Sequence, residues 1–305
     1  MRGTVPLKFK GTVPFEKGIK VEAKRLEGKT IAADLQKKIV EKVASFGAAG
    51  LPKPSLAAIQ TSDDPSAVWY INSQEKLAAK LGIDFRRIMP DQVKGEKALL
   101  EKIRELGADK TVHGLFISMP FPAGIDADKV LLAMDPKKDV EGVHPTSLGL
   151  IVLRRGKLIP PTAFAAYTLI KASGIMLRGK KAALIGQSAI VGRPLQLLLG
   201  EARVTTLVCN TGTADEDMKK IVGASEIVVA CSGKPGLVKG AWIKQGAVVI
   251  DVGTTEVDGK LQGDVEFDEA VKKAGFITPV PGGVGPLTVT MLMENLITAY
   301  EWQMK

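Results

Sequence analysis

Apolar residues recur at Ile31, Leu35, Ile39 and Val43, four apart, through "GKTIAADLQKKIVEKVASF". That spacing draws one stripe along a helix. "PSLAAIQ" follows, an apolar run too short for a helix and closed by the polar "TSDDPS". It reads as a buried strand that ends in a loop. The alternation continues with a helix through "WYINSQEKLAAKLGI", a strand at "IDFRRIM", a helix at "GEKALLEKIREL" and a strand at "VHGLFISM". That strand ends at "PFPAG", and the short helix "DADKVLLAM" precedes "DPKKDVEGVHP". Strands separated by helices of this length predict parallel βαβ units. Ligands of such sheets bind beyond the carboxyl ends of the strands. "TSDDPS", "MPFPAG" and "KKDVEGVHP" all fall there.

A second unit begins near residue 148. "PPTAFAAYTLIKASG" reads as a helix, "KKAALIG" as a strand, and "QSAIVGRPLQLLLGEA" as a loop and helix punctuated by glycine. "VTTLVCN", "EIVVACSG", "GAVVIDVG" and "GFITPVP" supply four more strands. This is the pattern of a doubly wound, Rossmann-type α/β sheet that binds a dinucleotide. The last helix, "TVTMLMENLITAYEW", follows the long "PVPGGVGP" segment and is expected to pack back on the first domain. The predicted division is an N-terminal extension (1–25), a substrate domain (26–147, completed by 287–305) and a dinucleotide-binding domain (148–286).

Composition narrows the classes. No apolar run approaches the roughly 18–20 residues that span a bilayer, so no membrane association is expected. The two cysteines, Cys209 and Cys231, sit in apolar strand-like runs. A disulfide framework is thereby excluded and a reducing compartment, the cytoplasm, is expected. Residues 1–25 carry "GTVP" twice, contain no serine and include Glu16 and Glu22, unlike a mitochondrial presequence, yet they leave an organelle address open. With only two histidines besides the two cysteines, no metal site is expected. The formal charge of +9 fits a solvated basic surface or attraction for an anionic small molecule. Nucleic acid is not expected, because the basic residues are dispersed and aromatics are only 5%.

Candidate chemistry sits at three places. In "GQSAIVGRP", Gly186 permits a sharp turn after a strand, and amides at the following helix start can face phosphate. Gly186, Gln187, Ser188, Gly192 and Arg193 are the candidates there, although the motif is not G-x-G-x-x-G. The strands in "VVACSGKPG" and "VVIDVGTT" end in small residues, so Cys231, Ser232, Gly233 and Thr254 are places where a flat cofactor can approach. "TPVPGGVGPLTVTMLMEN", with Pro281, Gly282 and Gly283, is either a rigid connector or a cleft lining. Finally, Tyr70 and Gln74 lie four apart, on one helical face.

"GQSAIVGRPLQLLL", "WIKQGAVVIDVG", "GDVEFDEA" and "ITPVPGGVGPLTVTMLMEN" closely resemble the methylenetetrahydrofolate dehydrogenase/methenyltetrahydrofolate cyclohydrolase family (FolD type). The likeness runs from "LEGKTIAADLQ" to the C-terminus. It implies a two-domain α/β fold, an NAD or NADP cofactor, a tetrahydrofolate derivative bound in a cleft between the domains, and a homodimer. The implied activity is hydride transfer from methylene-tetrahydrofolate, followed by hydrolysis of the methenyl product. Binding of substrate is implied for Tyr70, Glu141, Pro281, Gly282 and Gly283.

Three departures from the family pattern stand out. The family's Tyr-x-x-x-Lys reads here Tyr70 to Gln74; Lys76 lies on another face of the helix. The family's lysine is the chief acid–base residue of hydrolysis, and a glutamine neither takes nor releases a proton at neutral pH. The family's Gln-Leu-Pro-Leu-Pro, whose glutamine supports the lysine, reads Ser118-Met119-Pro120-Phe121-Pro122. The family's Asp-Val-Asp-Gly reads Asp139-Val140-Glu141-Gly142, and Glu141 can still accept two hydrogen bonds from a pterin. "PPTAF" also replaces the family's Pro-Cys-Thr-Pro. Tyr70, Gln74 and Ser118 are the catalytic positions. The expected activity is a dehydrogenase with doubtful cyclohydrolase activity; a bifunctional enzyme and a non-catalytic folate-like binding protein are the alternatives. No basic residue stands at Gln187 or at Cys209-Asn210-Thr211-Gly212 to hold a 2′-phosphate, which leans the expectation to NAD. An acidic residue typical of an NAD site is missing there as well.

Overall fold

The computed structural model describes residues 22–304. In chain order the elements are β1 (Lys24–Arg25), α1 (Gly28–Ala48), β2 (Ser55–Ile59), α2 (Pro65–Leu81), β3 (Asp84–Ile88), α3 (Gly95–Ala108) and β4 (Gly114–Ile117). The helices α4 (Ala127–Ala133), α5 (Pro145–Val152) and α6 (Pro161–Ala172) follow. The run continues with β5 (Lys181–Ile185), α7 (Gly192–Glu201), β6 (Thr205–Cys209), α8 (Asp215–Ala224), β7 (Ile227–Ala230) and β8 (Val248–Asp251). It closes with β9 (Thr255–Val257), β10 (Lys260–Gln262), α9 (Phe267–Ala270), β11 (Phe276–Ile277) and α10 (Val284–Gln303). The helix–strand alternation expected from the apolar spacing is therefore present.

The described residues divide into two compact units, one of 29–164 with 285–304 and one of 22–28 with 165–284. The boundaries differ from the sequence reading. Helix α5 and the segment up to Phe164 belong with the first βαβ unit, because Gly142 packs on the Ile159–Pro160 backbone. The supposed extension of residues 1–25 reaches into the second unit: Lys24 and Arg25 pair in parallel with Phe276 and Ile277. A two-residue edge strand has no periodicity to read. Residues 1–21, with their repeated "GTVP", lie outside the described residues.

In the first unit the sheet order is β3-β2-β4, all parallel. Asp139 extends it by a bridge to Leu115. Every residue of β2 and β4 is buried, as expected of strands covered by helices on both faces. Helix α10 closes one face: Leu292, Met293, Leu296 and Ile297 pack with Leu56, Ala58, Ile71 and Phe116. The C-terminal helix thus packs on the first βαβ unit, as its position after the Pro/Gly segment suggested.

In the second unit the order is β1-β11-β8-β7-β5-β6, parallel throughout. From β5 the chain steps to one side for β6 and to the other for β7. That reversal opens a crevice between the carboxyl ends of β5 and β7, the expected ligand position of an open α/β sheet. Two exposed strands, β9 and β10, form a hairpin that the apolar pattern did not foreshadow.

Candidate active site

The first unit has its own strand-order reversal, between β2 and β4, and the catalytic candidates collect there. Thr61, just past β2, donates its amide to Ser118 Oγ at 2.9 Å and its hydroxyl to the Ser118 carbonyl at 2.8 Å. The two hydroxyl oxygens lie 3.1 Å apart. Ser118 is thereby a clamp between strand ends, followed by a cis Met119–Pro120 bond. Helix α2 begins nearby: Asp64 caps it by accepting the amides of Ser66 and Ala67, and Pro65 opens it. The helix carries Tyr70 and Gln74 on the face expected. Tyr70 is half-buried, its ring set edge-on to Phe116 of β4 with centroids 5.6 Å apart.

Gln74 is fully buried, and neither its amide nitrogen nor its amide oxygen has a hydrogen-bond partner among the described residues. Such a side chain carries an unmet cost of about 1–3 kcal/mol per group. Lys76, by contrast, is exposed, so it does not stand in for a buried proton carrier at position 74.

Glu141 sits in the turn that follows Asp139. It lines a small apolar recess with Ile117, Met119, Phe121, Met134 and Val143. Burial, followed by the neighbouring Asp139 charge, pushes its carboxyl up to about 8. Burial and the Glu141 charge in turn push the Tyr70 hydroxyl well above its ordinary range. The turn itself is fixed from behind. Asn295 of α10 donates to the Val140 and Ile159 carbonyls at 2.7 and 2.8 Å. Gly142 has φ +64°, and a Cβ there would stand 2.8 Å from the Pro160 nitrogen. Asp139 accepts from the His144 amide and the Ser147 hydroxyl, while its other oxygen has no partner among the described residues.

In the second unit the predicted dinucleotide residues gather at the β5–β7 crevice. Gly186 has φ +128°, and a Cβ there would collide with the Cys231 carbonyl; only glycine suits it. A Cβ on Gly192, the first residue of α7, would collide with the Gly186 carbonyl. Between them, residues 187–190 are exposed or nearly so. Ser188 accepts the Val191 amide on its hydroxyl and the Arg193 amide on its carbonyl. The amides of Gln187, Ser188, Ala189 and Ile190 donate to no described residue. Free amides at a helix entrance form a cradle for phosphate, so the residues present fit a dinucleotide. Cys231 faces this turn, and burial pushes its thiol up to about 12, which leaves it unreactive. Ser232 and Gly233 form the rim after β7. Thr254 is exposed; its neighbour Thr255 is the residue that bonds the Gly233 carbonyl, at 3.3 Å. Arg193 is also exposed.

Pro281, Gly282 and Gly283 follow β11 behind a cis Val280–Pro281 bond. The Gly282 carbonyl accepts the Gly28 amide at 3.1 Å, and the Gly283 amide returns to Pro279. A Cβ on Gly283 would press on the Pro279 carbonyl and Thr278, so the segment is tightly folded.

Four supporting residues escaped the reading of the sequence: Thr61, Asn295, Asp251 and Asp264. Asp264 lies within "GDVEFDEA", among acids that look solvated, and is in fact fully buried. Its sequence signal is indirect: Gly253 leaves room for the Asp264 carboxylate, while its own neighbour Gly263 leaves room for Asp251.

The amide cradle at the crevice of a parallel, doubly wound sheet defines a protein of the dinucleotide-binding α/β class. Residues 26–141 match the tetrahydrofolate dehydrogenase/cyclohydrolase catalytic domain, and residues 160–304 match the NAD(P)-binding domain of the same family. The chain is 42% identical over 277 residues to the bifunctional protein FolD of Macrococcus caseolyticus, covering 91% of this chain and 97% of that one. It is 40% identical over 280 residues to the bifunctional protein FolD of Geotalea uraniireducens, covering 91% and 98%. The Trypanosoma brucei methylenetetrahydrofolate dehydrogenase-cyclohydrolase, solved with NADP and an inhibitor, superposes with a TM-score of 0.90 at 35% identity, covering 93% and 99%. The chain belongs to the tetrahydrofolate dehydrogenase/cyclohydrolase family and carries its nicotinamide dinucleotide domain. No helix among the described residues is long and apolar enough to cross a membrane.

Proposed function

We propose that the chain oxidises methylene-tetrahydrofolate with a nicotinamide dinucleotide and has lost most or all of the hydrolysis of the methenyl product. Gln74 carries this reading. A buried neutral amide stands where the family resemblance puts a lysine, and it has no hydrogen-bond partner among the described residues to make it part of a proton relay. Hydride transfer makes no such demand, because it needs positioning and tolerance of developing positive charge. A nicotinamide bound at the β5–β7 crevice supplies the hydride acceptor. On the protein side, Tyr70 borders the pterin and Glu141, once ionised, accepts its N–H groups; the Gly186–Gly192 turn receives phosphate. The family resemblance assigns substrate contact to Pro281, Gly282 and Gly283 as well. Opening the methenyl ring by water requires a general base or polarising group, and neither Gln74 nor the Thr61-engaged Ser118 is one.

The bifunctional reading is favoured by the 40–42% identical relatives that bear that name. The preferred cofactor is NAD, since Gln187 and the turn after β6 offer no cation for a 2′-phosphate; there Asn210 Oδ1 is taken by the Gly212 amide. The working form is a cytoplasmic homodimer. Purified protein given methylene-tetrahydrofolate and each dinucleotide in turn should reduce NAD faster than NADP. Methenyl absorbance should then decay at the buffer rate. Decay well above that rate means a bifunctional enzyme. Folate binding without reduction of either dinucleotide leaves only a binding protein.

A further inference from the structure

Asp264 has no part in the reading above, yet it organises one rim of the β5–β7 crevice. One of its carboxylate oxygens accepts three hydrogen bonds from the turn after β7: the Ser232 amide at 2.6 Å, the Ser232 hydroxyl at 2.9 Å and the Gly233 amide at 2.9 Å. The other oxygen has no partner among the described residues. Asp264 is held in turn by Asp251 at the end of β8, which accepts the amides of Asp264, Val265 and Gly253 at 2.9, 3.0 and 3.0 Å. Asp251 is anchored by its own amide, which donates to Thr278 Oγ1 at 2.7 Å. Space for both carboxylates comes from missing side chains. A Cβ on Gly253 would collide with Asp264, and one on Gly263 with Asp251.

The consequence is chemical. A turn of small residues after a Rossmann strand ordinarily offers amides to an anion. Here both amides of the turn point at a buried carboxylate, and so does the serine hydroxyl. The turn keeps the Ser232 carbonyl for a ligand, the Gly233 carbonyl already accepting the Thr255 hydroxyl at 3.3 Å, and a carboxylate lies directly behind it. The turn after β5 is the opposite, with four free amides.

We propose that Asp264 is a positioning residue that makes the Ser232–Gly233 turn a seat for an uncharged, hydrogen-bond-donating part of the dinucleotide, such as a ribose hydroxyl or a carboxamide, and bars phosphate from it. Phosphate is left to the Gly186–Gly192 turn. This rests on the proposal that the β5–β7 crevice takes a dinucleotide.

The test is calorimetric binding of NAD, NADP and a folate to the wild type and to Asp264→Asn, with inorganic pyrophosphate as competitor. The variant should bind the preferred dinucleotide at least 10-fold more weakly and the folate within twofold of wild type. Pyrophosphate should compete several-fold better in the variant, because a neutral amide replaces the carboxylate behind the turn; a loss of fold would not produce that gain. Unchanged dinucleotide affinity, equal weakening of both ligands, or unimproved competition by pyrophosphate overturns the proposal. If Asp264→Asn does not fold, Ser232→Ala removes one of the three bonds and should weaken dinucleotide binding by twofold or more, with folate unaffected; no selective weakening overturns the proposal. Failure of the wild type to bind either dinucleotide would instead refute the reading of the crevice.

Discussion

Thr61 engages both oxygen atoms of Ser118, donating its amide to the hydroxyl oxygen and its own hydroxyl to the carbonyl. Ser118 therefore joins two strand ends and has little freedom to serve a neighbour on α2. The departures at positions 74 and 118 belong together for this reason: the one lacks a proton carrier and the other lacks a free group to orient it.

Restoring a lysine alone should accordingly do little. Gln74→Lys buries an ammonium group with no partner, and its protonated form is disfavoured by desolvation. We expect a lowered melting temperature and a methenyl hydrolysis rate within about threefold of wild type. The double variant Gln74→Lys with Ser118→Gln should raise hydrolysis by at least 10-fold, toward the 10²–10⁴ range of general acid–base catalysis. Stopped-flow decay of methenyl-tetrahydrofolate measures both. No rise in the double variant would place the missing hydrolysis elsewhere.

Glu141 should make folate binding depend on pH. Its carboxyl is raised from 4.5 to about 8, so the neutral acid predominates at pH 7 and the two-oxygen acceptor forms above pH 8. Folate KM should fall as pH rises from 7 to 9. The stability effect has the opposite sense. Ionising a carboxyl whose folded value is raised costs the native state, so stability is lost as pH climbs from about 4.5 to 8 and levels above that. Glu141→Gln should flatten both profiles; a KM profile as steep in the variant as in the wild type would refute the role.

Asn295 should matter to the folate and not to the dinucleotide. Asn295→Ala strips a donor from two carbonyls that hold the Val140–Glu141 turn, a loss of about 1–3 kcal/mol. The urea midpoint should fall and folate KM should rise several-fold. Dinucleotide affinity, read by calorimetry, should stay within twofold. Equal effects on both ligands would reduce Asn295 to a general packing role.

Gly186→Ala probes the amide cradle. The added methyl meets the Cys231 carbonyl, and the φ of +128° is one that alanine rarely adopts. Dinucleotide affinity should drop by roughly 100-fold or more by fluorescence titration, with folate binding retained. Retained dinucleotide affinity would show that the phosphates lie elsewhere.

Much of this was legible in the chain itself. Apolar runs such as "SLAAI" and "VVID", with glycine-marked ends, were enough to place the parallel strands and the Gly186 turn. A four-residue spacing was enough to set Tyr70 and Gln74 on one face. The acceptors that hold the site in place were not legible. Asp264 and Asn295 act through bonds to residues 31 and 155 positions away, and no local periodicity records such a partner. Strand β1 escaped for a related reason: two polar residues, exposed in place, become a strand only through a neighbour some 250 residues later.

The discontinuity of both units also bears on how the chain is made. The 29–164 unit lacks one face of its core until α10 is synthesised, and the second unit cannot complete its sheet edge until β11 meets β1, which precedes every other described element. A nascent chain therefore exposes apolar strands until β11 and α10 emerge, and because those two elements are neighbours in the chain the two units are finished almost together. Premature termination before residue 276 should yield one sheet left uncovered by α10 and one sheet short of its β1–β11 edge, both aggregation-prone, instead of one folded half.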